Sequence, residues 1–208
     1  MAQLKLAALA LLFGLAVAEG GALAQDRLQI AAPPFWTNGW KQATDHGGPG
    51  WRLTVFVPTE APERSVKDLI SITTTSGGPQ NDGVVRLIRA WGIHVNSTCE
   101  KLAMVPPQPK NENGYSVGYA QFYCPKRSDT GEGSVDFVKA VASESQAYLV
   151  AVAQRTLPYT SVVPGAVSFA ENKDTEAFVE WLKAVSNYLS STVRVCRGPS
   201  PLEVKCSP

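Results

Sequence analysis

Gly114-Tyr115-Ser116-Val117-Gly118 matches G-x-S-x-G, the spacing that seats a serine nucleophile on a sharp turn. That chemistry needs a strand before the serine and a helix after it, so that the hydroxyl stands exposed above a sheet. Here a proline-rich stretch, Pro106 to Gly114, precedes the motif and an alternating aromatic segment (Tyr115, Tyr119, Phe122, Tyr123) follows it. The hydrolase order also puts the histidine after the serine, whereas both histidines of the chain, His46 and His94, come before. Ser116 is therefore read as a strand residue. His46 follows Asp45 in a glycine-rich loop and could serve as a carboxylate-oriented base, an appearance that any Asp-His neighbour pair shares. His94 closes a predicted helix, where a cationic ring suits the negative end of the dipole. Asp45, Asp82, Asp129, Glu132 and Asp136 have no spacing that forces two carboxylates onto one site. Gly47-Gly48-Pro49-Gly50 lacks the Lys and Ser/Thr of a phosphate loop. These residues form no reaction template, so no catalytic residue and no cofactor is expected. A pocket that gathered either histidine with a carboxylate and a hydroxyl would point to a hydrolase; scattered histidines would point to binding.

The four cysteines depend on the compartment. Lys5, the uncharged run Leu6 to Ala18 and the small-x-small Ala22-Leu23-Ala24 make residues 1–24 a predicted secretory signal peptide, with an alternative cleavage after Ala18. Thirteen apolar residues span only about 20 Å of helix, short of a hydrocarbon core of about 30 Å, which argues against a membrane anchor, and no second apolar stretch approaches membrane length, so no transmembrane segment is expected in the mature chain. The protein is expected to be periplasmic or secreted. In an oxidising compartment an even cysteine count implies bridges, and local pairing gives Cys99 with Cys124 and Cys196 with Cys206. No pair has the C-x₂-C spacing of a structural zinc site, so no metal is expected.

The remaining candidates are aromatic. Ala31 to Gly50 holds three prolines, four glycines, Phe35, Trp36 and Trp40, with Trp51 just beyond, and reads as a loop. Phe35, Trp36, Trp40 and Trp51 form either a platform for a ligand or partner or an N-terminal segment laid over the core. With 19 Lys+Arg against 18 Asp+Glu, the net charge of +1 supplies no field for a nucleic acid.

Positioning these residues requires a scaffold. Trp51 to Pro58 alternates as a strand. Ser65-Val66-Lys67-Asp68 fits a capping pattern, predicting a short helix to about Ile72. Asn81 or Asp82 caps a second helix with Val84, Val85, Ile88 and Trp91 on one face. Strands are predicted at Cys99 to Val105, Tyr115 to Cys124, Ser134 to Ala142 and Ala147 to Gln154. The connector Pro106 to Gly114 is read as irregular and Ser143 to Gln146 as a hairpin turn. A last helix, Thr175 to about Ser191, carries Phe178, Trp181, Leu182, Val185 and Leu189 as an apolar stripe, capped by Asn172 or Asp174. Arg194 to Pro208 reads as a polar tail closed by its bridge. The expectation is an α+β fold: one two-layer domain over 25–208, with a mostly antiparallel sheet of about five strands and helices packed on one face.

The order of N-terminal signal, strand ending at Pro58, helix over Val66 to Ile72, Cys99, Phe122-Tyr123-Cys124-Pro125 and Ala147-Tyr148-Leu149-Val150 leading to Arg155 resembles a family of small uncharacterised periplasmic or secreted proteobacterial proteins. The resemblance implies a periplasmic α+β domain with a disulfide and carries no catalytic residues. The layering is also similar to the non-enzymatic accessory domains of the PsbP type, an analogy of fold alone. Together these readings give an exported, non-enzymatic binding or assembly module of the bacterial cell envelope. Its partner would be a protein or envelope component, and the alternative is a small periplasmic hydrolase whose residues are scattered in sequence.

Overall fold

The computed structural model describes residues 25–61, 67–76, 80–159, 167, 169 and 172–198. The predicted signal peptide over 1–24, the predicted cap at Ser65, Cys206 and residues 199–208 lie outside them. Nine strands and two helices are described, in the order β1 (Gln25–Gln29), β2 (Trp40–Gly48), β3 (Trp51–Pro58), β4 (Asp68–Ser76), α1 (Gln80–Asn96), β5 (Ala103–Glu112), β6 (Tyr115–Cys124), β7 (Gly133–Ala142), β8 (Gln146–Thr156), α2 (Asn172–Ser191) and β9 (Arg194–Gly198). Seven strands form one antiparallel sheet in the order β2-β3-β4-β8-β7-β6-β5, and β1 pairs with β9 in a second, two-stranded sheet.

This corrects the expectation of an α+β fold with about five strands and helices on one face: the described residues are mostly strand, with two helices against a seven-stranded antiparallel sheet. The helices lie on opposite faces of the sheet. Val84, Leu87, Ile88 and Val95 of α1 pack on Ala120, Phe122, Val138, Ala140, Leu149 and Ala151. Phe178, Val185, Tyr188 and Leu189 of α2 pack with Ile70, Tyr123, Val135, Phe137, Val150 and Val152, which point the other way. Every residue of β7 is buried, because this central strand has a helix on each side. A strand covered on both faces reads as a near-continuous apolar run without alternation.

Three further elements depart from the sequence reading. Asp68 to Ile72 belongs to strand β4, not to a short helix; Ile70, Ile72 and Thr73 to Thr75 are β-branched and fit the pleat better than a helical turn. Lys41 to Gly48 is strand rather than loop. β2 is an edge strand with both faces exposed, where polar residues and glycine are tolerated, and only Pro49-Gly50 turns the chain, with Gly50 at φ +78°. The prolines at 106, 107 and 109 also sit in a strand. β5 is the other edge of the sheet, a register shift between Val105 and Gln108 takes up the Pro-Pro step, and the edge asks for fewer N–H donors. The β5–β6 hairpin turns on Asn113-Gly114, both with positive φ, as a tight two-residue loop requires.

On α1 the buried face is Val84, Leu87, Ile88 and Val95 with Trp91 half-buried, while Val85 is 45% exposed. The Cys99–Cys124 bridge is present, with Cα atoms 5.7 Å apart, and ties the chain just after α1 to the end of β6. Cys196 is disulfide-bonded and buried. Arg194 to Gly198 forms a strand on β1 rather than a loose tail. Among the described residues no helix is long and apolar enough to cross a membrane.

Candidate functional site

The seven-stranded sheet is wider than α1. That helix covers β6, β7 and β8, and the sheet continues past it as β4 and β3 with one face open. The step between helix and open sheet is a cleft of about 420 Å³. Its composition is graded along the strands, because register places the residues in rows. At one end Trp51, Leu53, Val55, Leu87 and Leu149 line apolar walls, with Thr73 and Ser71 on the β4 floor. At the other end, beneath the last turns of α1, stand Trp91, His94, Ser134, Asp136, Gln154 and the cationic side chains of Lys67, Arg127 and Arg155.

Asp136 is the unusual group. It is 5% exposed on β7, facing α1 between Phe122 and Ala153 on the flanking strands. Burial pushes its carboxyl up to about 7, against the opposing pull of the Trp91 indole and the Arg127 charge. Among the described residues the indole N–H has no hydrogen-bond partner beyond this interaction with the carboxyl. The Ser134 hydroxyl, on the same face of β7 and likewise buried, also lacks a hydrogen-bond partner among the described residues. Buried polar groups are ordinarily satisfied, so an incompletely satisfied cluster in the lining of a cleft is a feature of ligand sites more than of cores.

The surrounding cations are partly committed. Arg127 makes a two-pronged pair with Asp129 at 3.0 and 2.7 Å, which holds that aspartate below its usual range, and Arg155 lies 3.6 Å from Glu132. The His94 ring leans on Trp91, with centroids 5.5 Å apart, and no hydrogen bond joins it to Asp136 or to a hydroxyl among the described residues. The cleft therefore gathers a histidine, a carboxylate and hydroxyls without linking them as a nucleophile and base.

The aromatic candidates of the N-terminal segment separate. Trp36 is buried with Phe35 against α2, the Phe35 ring meeting Tyr188 edge-on at 5.9 Å. Trp40 stacks on Phe56 at 4.4 Å over the same core. Trp51, 46% exposed, lines the cleft on the opposite face. Of the four, one reaches the site. Ser116 lies within β6 opposite Ala142, followed by more strand. Gly118 of the same motif has a packing role, since a Cβ there would meet Val84 Cγ1 at 2.6 Å and keep α1 off the sheet. His46 lies on exposed β2, opposite Leu53, outside the cleft lining.

On the other face, the ammonium of Lys139 is buried, pairing with Glu112 at 2.8 Å and donating to the Val193 carbonyl at 2.8 Å. Tyr119 donates to the same Glu112 carboxylate at 2.9 Å. This cluster joins β5, β6, β7 and the turn before β9, a structural role. Among the described residues no group of three or more His, Cys, Asp or Glu side chains is placed to hold a metal ion. No family model matches the chain, and no curated protein matches it.

Proposed function

We propose that the protein is an exported binding module of the bacterial cell envelope, whose cleft between α1 and the β3–β4 half of the sheet takes a small amphipathic molecule. The observation that carries this reading is the cleft itself. Its volume falls within the roughly 300–1,000 Å³ of small-molecule sites, its walls are apolar at one end, and residues with buried polar groups line the other. Export is supported by the apolar leader and by the Cys99–Cys124 bridge, which belongs to an oxidising compartment. The resemblance to small periplasmic proteobacterial proteins is part of the same reading. Titration with Nile red, a neutral apolar dye, tests it: the folded protein should bind with a blue-shifted emission. Thr73→Trp, which fills the apolar end, should abolish that signal with an unchanged melting curve. Dye binding that survives Thr73→Trp overturns the assignment.

A hydrolase remains as a second reading for one observation: His94, Asp136, Ser71, Thr73 and Ser134 line the same cleft. Hydrolysis of p-nitrophenyl esters that is lost in His94→Ala would favour it.

A further inference from the structure

Resting on that binding reading, we propose that the polar end of the cleft selects a neutral hydroxyl head group, making the ligand an amphipathic alcohol rather than a carboxylate or an ammonium, through Asp136, Ser134 and Trp91. Three buried polar groups meet there: a carboxyl on β7, a hydroxyl two residues before it on the same face, and an indole N–H from α1. Among the described residues the Ser134 hydroxyl has no hydrogen-bond partner, and the Trp91 N–H has only its approach to the Asp136 carboxyl. A buried donor or acceptor left unmade is destabilising, so a ligand that satisfies them gains both the bond and relief of that cost.

The charges around the end decide which head group fits. Asp136 and the carbonyl end of α1 present negative potential, while Lys67 before β4, Arg127 after β6 and Arg155 on β8 present positive charge, two of them offset by Asp129 and Glu132. His94 completes the titratable groups on α1 that face the end. A ligand carboxylate must lie beside Asp136 in a poorly hydrated site, where two like charges repel strongly once Asp136 ionises. A ligand ammonium must share the same end with the Lys67 ammonium and with two guanidiniums that Asp129 and Glu132 offset only in part. A hydroxyl carries no charge and has both roles. With Asp136 ionised it donates to the carboxylate and accepts from the Trp91 N–H; with Asp136 protonated it either accepts from the carboxyl O–H and donates to the Ser134 oxygen, or accepts from Ser134 and donates to the carboxyl C=O. It is satisfied in either state. The apolar rows formed by Leu53, Val55, Leu87 and Leu149 then take the alkyl or aryl body.

The test compares probes with one tail and three heads, n-decanol, decanoate and decylammonium, titrated below their aggregation limits and followed by tryptophan fluorescence and calorimetry. The expected result is that n-decanol binds about tenfold more tightly than either ion near pH 8, the worth of one or two hydrogen bonds. Its affinity should change little between about pH 6 and pH 8, while decanoate weakens as pH rises. Ser134→Ala and Trp91→Phe should each weaken n-decanol several-fold, and by more than they weaken Nile red, whereas His46→Ala, outside the cleft lining, should leave n-decanol binding unchanged. Equal or tighter binding of decanoate or decylammonium, or n-decanol binding indifferent to both variants, overturns the head-group assignment while the cleft stands. If Nile red also fails to bind the wild type, the binding reading itself falls.

Discussion

Asp136→Asn is expected to stabilise the protein above neutral pH and to change it little in acid. The wild-type carboxyl ionises near 7 in the folded chain because burial opposes its charge, and near its ordinary value of 3.8 when unfolded. Between those values the folded state holds a proton that the unfolded state has released, so stability falls as pH rises from about 4 to about 7 and then levels. Carrying the buried carboxylate above pH 7 costs about 4 kcal/mol by this linkage. The amide bears no charge and escapes that cost, although one of its donors must face the cleft, which trims the gain. Denaturant unfolding of both proteins at a series of pH values gives the difference directly. Asp68, also raised by burial, and Asp45, held low chiefly by its hydrogen bonds to Arg52, titrate in both proteins and cancel. Parallel curves from pH 4 to pH 8 would refute the claim that Asp136 is forced to carry an unfavourable charge.

Ile88→Ala, on the buried face of α1, should cost about 2–5 kcal/mol, whereas Val85→Ala on the exposed side of the same helix should stay within about 0.5 kcal/mol, both read from denaturant midpoints. Glu112→Ala strands the buried Lys139 ammonium and should cost about 3–5 kcal/mol, while Lys139→Met costs less because Glu112, whose side chain is 34% exposed, can rehydrate. Reduction of Cys99–Cys124, which spans 25 residues of sequence, should lower stability by about 3 kcal/mol on the chain-entropy account, and unreduced peptide mapping should find that link. Ser116→Ala and His46→Ala should leave ligand binding unchanged, since neither residue lines the cleft.

The strands from Tyr115 to Gln154 and both amphipathic helices are legible in sequence because each has a dominant period or length. What was hidden has physical causes. The absence of alternation in Ser134 to Ala142 meant burial on both faces, and with two helices to cover a sheet this requires one on each side. The edge strands β2 and β5 are written in glycine, proline and polar residues, which resemble loops unless the turns Pro49-Gly50 and Asn113-Gly114 are recognised. The Ser65 capping pattern outweighed the β-branched run of Ile70 to Thr75, and Val85 was placed inward on spacing where Leu87 is the buried residue. At the site, the Trp51 ring is legible in sequence, but Asp136 does not stand out, because no neighbouring carboxylate lies at a spacing that forces the two onto one site. Its signal was different: a lone acid inside an apolar strand, whose burial rather than a neighbour shifts its chemistry.

The central claim is that the cleft beneath α1 holds an apolar ligand, and an amide and methyl NMR titration with n-decanol tests it most directly. The account predicts saturable shifts at Leu53, Leu69, Leu87 and Leu149 and at the Trp91 indole. Shifts confined instead to the outer side of α1 and β5, at Val85, Ile93 and Met104, or no saturable shift at all, would contradict it.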